Sequence, residues 1–261
     1  MPRTYVRHAE EGAFQLVSPG TFVRDLGIGD ITGGELTAQV VHLEPEGAHV
    51  EKLHRHDEGF SLAYVLKGWL DVEFEEIGVQ HLGPGTVIPA YNGPMHRELD
   101  CGDDFELLLL VTRKSMSGDD RQRIVVQQER DAPYEPGPND HLLYRDFELK
   151  PMTGGRMLAQ AIKTQPGKHS DGQRRAHESH FQFVYVANGW IELEYDDVGK
   201  VRLEKDALAY QPPTVRHAEL ARGDDAVIVE VVIGRDVIGD RSGRSTTETC
   251  AGSGSASSRT S

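Results

Sequence analysis

His54-Arg55-His56 is the first stretch whose residue types could do chemistry. In an extended run, two residues one apart project from the same face, with Cα atoms roughly 6.6 Å apart. Two imidazoles so placed can converge on one divalent ion through bonds of about 2.0–2.1 Å. His96, brought in from a later strand, would complete a cluster of three. Three protein ligands with positions left open is the way catalytic metals are generally held.

Such a cluster needs a scaffold, and the chain contains it twice. Arg24-Asp25-Leu26 matches Arg145-Asp146-Phe147, and Thr32-Gly33-Gly34 matches Thr153-Gly154-Gly155. Tyr64-Val65-Leu66-Lys67-Gly68-Trp69 matches Tyr185-Val186-Ala187-Asn188-Gly189-Trp190, and His96-Arg97-Glu98-Leu99 matches His217-Ala218-Glu219-Leu220. The offsets 145 − 24, 189 − 68 and 217 − 96 all equal 121, so the repeat is ungapped and marks a domain duplication.

Each copy reads as all-β. Apolar-rich runs at 36–43 and 157–162 are followed by hairpin signals at Lys67-Gly68 and Asn188-Gly189. Strands at 106–112 and 226–233 close the copies after Asp-Asp turns, and short strands with Gly/Pro punctuation indicate a sandwich or barrel. The expected division is an N-terminal segment 1–23, a first barrel 24–113, a linker 114–144, a second barrel 145–236 and a disordered tail 237–261. The opening segment shows no clear period, and the one candidate helix lies at 119–130 in the linker.

These motifs resemble the cupins, and the duplicated chain resembles a bicupin. The first pattern of that family is carried by Gly47, His54, His56 and Gly68, the second by Gly85, Pro89 and His96. The resemblance implies two tandem double-stranded β-helix barrels, or jelly rolls, each with an internal metal site. In the first copy the ligands would be His54, His56 and His96, while the usual carboxylate position falls on Ser61, a weak ligand. Alternation and register both place Glu58 elsewhere. Ser61 and Tyr91, the latter at a position that is often small, are expected to line the first pocket. In the second copy His177, Gln182 and His217 remain, but Arg175 stands where the first histidine would be. A guanidinium cannot ligate a cation; it would repel the ion or bind an anionic part of a ligand. The second set is therefore either a weaker metal site or a hydrogen-bonded polar cluster in a metal-free barrel.

Imidazole donors suit Fe, Zn, Cu, Ni and Mn, with Fe(II) the leading expectation. The function expected from the resemblance is a non-haem metal-dependent dioxygenase acting on a small chelating substrate in the first barrel. A metal-dependent isomerase or cyclase, and a non-catalytic small-molecule-binding cupin, are the alternatives. A formal net charge of −14 over 261 residues argues against nucleic acid or an anionic membrane as partner. No apolar signal core or membrane-length run is visible, and Cys101 and Cys250 make no disulfide framework. A cytoplasmic location is expected on these grounds, and a homodimer through an edge sheet or the N-terminal segment is a plausible assembly.

Overall fold

The computed structural model describes residues 3–56, 59–113, 124–177 and 179–234. Glu58, most of the linker's first third, Cys250 and the expected tail lie outside them. The described chain is almost entirely β, in two barrels built from a large and a small sheet each. The first large sheet runs in the order Gln15–Ser18, Thr21–Asp25, Leu36–Leu43, Phe105–Thr112, Phe60–Lys67, Val87–Tyr91. Its small partner sheet has Leu70–Phe74 between Gly78–Leu82 and His96–Cys101. The second barrel repeats this with Met157–Thr164, Val227–Ile233, Phe181–Asn188 and Leu208–Gln211 in the large sheet. Trp190–Tyr195 is the middle strand of its small sheet.

The duplication extends to irregularities of register. Leu66 is skipped where Glu106 pairs with Lys67 and Leu107 with Val65, and Ala187 is skipped where Val227 pairs with Asn188 and Ile228 with Val186. A second bulge separates Asp71 from Val72, and again Glu192 from Leu193. Bulges re-aim side chains and are kept as features of a fold, so both copies turn the same residues inward. The hairpin glycines serve the same end. Gly68 has φ +68°, and a Cβ there would stand 2.7 Å from Phe105 Cα.

Period-two alternation then sorts the residues into three cores. Ala63, Val65, Val72, Phe74, Ile88 and Ala90 fill the first barrel, and Val184, Ile191, Leu193 and Tyr195 the second. The opposite faces of the two large sheets pack on each other. Phe60, Leu62, Tyr64 and Leu108 there share one cluster with Phe181, Phe183, Tyr185 and Val231. Two buried arginines, again related by 121, cross this interface. Arg145 donates to the Gly85 carbonyl at 2.6 Å and to Gln127, and Arg24 approaches the Asp206 carboxylate at 3.9 Å. Tyr185 donates its hydroxyl to the same carboxylate at 2.7 Å.

Two expectations about the connecting segments are corrected. The opening residues form strands: Tyr5–Arg7 pairs antiparallel with Leu208–Gln211 of the second barrel, while Gln15–Ser18 and Thr21–Asp25 edge the first. A three-residue strand with a distant partner leaves no periodic signal, and the four- and five-residue strands of the following hairpin are too short to show one. Of the candidate helix at 119–130, the described part is extended, with Ile124 bridging Ala90 and Gln127 bridging Val87, followed by a 3₁₀ turn at Glu129–Asp131. Backbone pairing to an open sheet edge wins over weak local helix propensity.

Candidate metal centre

His54 does not lie in a continuous strand, contrary to the sequence expectation. It forms an isolated antiparallel bridge with His96, each backbone N–H donating to the other's carbonyl at 2.8 and 2.9 Å. His56 follows in non-strand backbone, and its carbonyl is approached so closely by Gly93 that a Cβ there would stand 1.8 Å away. Gly93, with φ +52°, is what lets the 92–94 segment press against the histidine loop. The result brings the three imidazoles together. Their ring centroids are 4.6 Å (His54–His96), 5.2 Å (His54–His56) and 5.4 Å (His56–His96) apart. One nitrogen from each lies within 4.8 Å of the others, and this is the metal-capable group of histidine, cysteine and acidic residues found among the described residues.

His96 Nδ1 lies 2.8 Å from the Pro94 carbonyl. A ring N–H donated there fixes the tautomer and leaves Nε2 with its lone pair toward the cluster. Glu98, two residues on and on the same face of the strand, brings a carboxylate to the same point. Its oxygens lie 3.5 Å from His96 Nε2 and 3.9 Å from His54 Nε2. Burial pushes this carboxyl up, but the hydrogen bond and charge of His96, with His54 behind, hold it below the usual carboxylate range. Glu98 Oε2 and His54 Nδ1 are buried without a hydrogen-bond partner. Imidazole nitrogens around a buried, unsatisfied carboxylate oxygen fit a divalent cation. Sequence reading passed over Glu98, although the alternation that links His54 to His56 links His96 to Glu98 as well.

The cluster opens onto a cavity of about 590 Å³ inside the first barrel. Val41, Leu70, Val72, Phe74, Ile88 and Leu109 are among its walls, with Ser61 as expected, and no lysine or arginine lines it. Tyr91 is not in this wall. Its strand alternates Ile88 and Ala90 inward with Val87 and Tyr91 outward, and Tyr91 packs on Phe60 in the core between the barrels.

The second barrel places its residues differently. Arg175 bridges His217 through backbone as His54 does His96, but its half-exposed guanidinium turns outward. It donates to Asn139 Oδ1 at 2.7 Å and Asp171 Oδ2 at 2.9 Å, so it is turned away from His217 and does not line the first-barrel cavity. Gln182 donates to Gln211 Oε1 and to Glu230 Oε1, Gln160 donates to Glu230 Oε2, and Gln211 donates to the Tyr195 hydroxyl. Burial raises the Glu230 carboxyl, with the two amide bonds pulling against it. His177 and His217 lie with ring centroids 5.5 Å apart, and both His177 nitrogens are buried without partners. A polar ladder thus occupies positions that Gln39, Ser61, Ala90 and Leu109 hold in the first barrel.

Burial holds the His177 ring down to about 4 from 6.5. An unfolded chain takes up that proton near 6.5 and the folded one refuses it until about 4. The contribution to stability is complete above the higher value and is lost as pH falls through the window. The melting temperature of metal-free protein is therefore expected to fall from pH 7 to pH 5, and to fall less in His177→Gln. Equal falls in the two would remove His177 as the cause.

Residues 162–234, within the second barrel, match the family model described as Cupin domain. The chain carries a cupin domain. Solved cupin-fold structures resemble it over 88% of its length. Protein Ylba from E. coli has 15% identity and a TM-score of 0.68, with 90% of that chain covered. Streptomyces albus HEPD, solved with 2-hydroxyethylphosphonate and Fe(II), has 11% identity, a TM-score of 0.66 and 76% coverage. The formate complex of oxalate decarboxylase from Lactobacillus farciminis has 14% identity, a TM-score of 0.63 and 86% coverage. No curated protein matches the chain by sequence. The cupin match and the histidine cluster thus fall on different copies of the duplicated unit. Among the described residues no helix is long and apolar enough to cross a membrane.

Proposed function

We propose that the chain is a bicupin whose first barrel is a metal-dependent oxygenase of the dioxygenase type, with Fe(II) as the favoured ion. Its substrate is small and largely apolar, with one chelating oxygen head such as an enol, a diketone or a catechol-like acid. The observation that carries this reading is the position of His54, His56 and His96 at the mouth of an apolar cavity without a lining cation. Fe(II) held there would supply a centre at which a chelating substrate and O₂ meet.

The chain's own residues account for the rest. The Pro94 carbonyl fixes the His96 tautomer. Val72, Phe74, Leu107 and Leu109 exclude water and favour an apolar substrate body, with Ser61 and Gln39 among the polar groups of the wall. Oxalate or a phosphonate would enter as a compact anion with no lysine or arginine to meet it, so the solved relatives' named ligands suit this cavity poorly.

The test is oxygen uptake by Fe(II)-loaded protein offered β-diketones and catechols, with metal-free protein as control. Uptake of O₂ in step with substrate loss, absent from the control, is expected. Substrate turnover without O₂ loss would replace this reading with metal-assisted isomerisation. No turnover across the panel would leave a binding protein.

A further inference from the structure

We propose that Glu98 supplies the carboxylate ligand of the first-barrel metal centre, taking the part that Ser61 cannot. The inference rests on the metal-centre reading above and deepens it. Two ligands of one ion, each bonded at about 2.1 Å, are separated by about 3.0 Å at a right angle and about 4.2 Å when opposite. Glu98 reaches two of the three rings through different oxygens, Oε1 at 3.5 Å from His96 Nε2 and Oε2 at 3.9 Å from His54 Nε2, each inside that range, while the group mutually within 4.8 Å is the three histidines.

The side of the ring decides between a ligand and a supporting residue. A carboxylate that merely orients a metal-bound histidine stands behind it, on the nitrogen away from the ion. In His96 that nitrogen is Nδ1, and the Pro94 carbonyl already occupies it. Glu98 instead stands at the Nε2 edge of both rings, where the ion itself would be.

The duplicated copy shows what the same position does when no cation is wanted from solution. Glu219, 121 residues on, is paired with the buried guanidinium of Arg222 on its own strand. The residue in the first barrel that corresponds to Arg222 is Cys101, which has no charge to offer. Arg97, the neighbour in sequence, is turned to Glu73 on the other face. Glu98 is thus a mostly buried carboxylate with Oε2 lacking a hydrogen bond and only imidazoles beside it, where its counterpart in the second copy holds a guanidinium. Buried carboxylates are paired with cations or bind metals. The copy without that arginine is the copy with three histidines.

The experiment is a titration of metal-free, untagged protein with Co(II), comparing wild type, Glu98→Gln and Glu98→Ala by dissociation constant and by visible Co(II) absorption. Loss of an outer partner of a ligand weakens a site by about 10–100-fold, so loss of a ligand is expected to weaken it beyond about 100-fold and to change the absorption band. Far-ultraviolet spectra and cooperative melting of the metal-free variants establish that they are folded before the titrations are compared. If either variant fails to fold, Glu98→Asp, which keeps the charge but withdraws it by one methylene, takes its place in the same titration. An affinity within about threefold of wild type overturns the proposal, as does weaker binding with an unchanged band. Wild-type protein that takes up no Co(II) removes the metal centre itself, whereas wild-type binding with Glu98→Gln unaffected removes only the role of Glu98.

Discussion

Protein carrying His96→Ala is expected to hold no ion after metal loading, where wild type holds about one per chain. The substitution removes the one imidazole whose tautomer is set by the Pro94 carbonyl and which both His54 and Glu98 approach. It does not remove the bridge to His54, which is made by backbone atoms, so the fold around the site survives. His217→Ala is expected to leave the metal content unchanged. Its neighbours are spoken for: Gln182 is turned to Gln211 and Glu230, and Arg175 to Asn139 and Asp171. Elemental analysis of the three proteins reads this directly. About two ions per wild-type chain, with each variant losing one, would make the second barrel a metal centre in its own right and sink the one-site reading.

Phe183→Ala is expected to be the most destabilising truncation outside the site, by about 3–5 kcal/mol, and to unfold both barrels together. Phe183 has no exposed surface and stands in the single cluster shared by the two large sheets, against Phe181. Removing its ring leaves a void that two packed sheets cannot close by moving one side chain. Each barrel keeps a separate interior cluster, so the alternative is loss of docking with both interiors intact. Chemical denaturation followed at once by far-ultraviolet and tyrosine signals separates these. A single transition at lower denaturant is expected; two transitions would show that the barrels stand alone.

What could be read from the sequence depended on how local its cause was. The hairpins at Gly68 and Gly189 and the strands beside them follow from turn chemistry and alternation, which act over a few residues. The histidine cluster was legible from the His-x-His spacing and its register with His96, although His54 and His56 lie outside a continuous strand and the second copy keeps only His177 and His217. Glu98 was equally legible, since it shares a face with His96, but attention to the family's usual position, now Ser61, hid it. Tyr91 was misplaced because a large side chain near a pocket suggests the pocket, whereas alternation from Ala90 sends it outward. The direction of Arg175 was beyond reach. It is set by Asn139 and Asp171, on segments whose approach depends on the finished barrel.

The strand Tyr5–Arg7 has a consequence for the order in which the chain can be completed. Tyr5 pairs with Tyr210, and Thr4 is tied to the Asp197 carboxylate by two hydrogen bonds of 2.7 and 2.8 Å. On a ribosome Tyr5–Arg7 emerges long before its partner and waits, unpaired, until the strand Leu208–Gln211 has left the exit tunnel. The first barrel meanwhile has the six strands of its large sheet, Gln15–Ser18 to Phe105–Thr112, in hand, and waits only for the 124–127 segment to cover its Val87–Tyr91 edge. Synthesis therefore passes through a stage in which the first barrel is finished while its leader hangs free. Only the end of the second barrel's strands can reel that leader in.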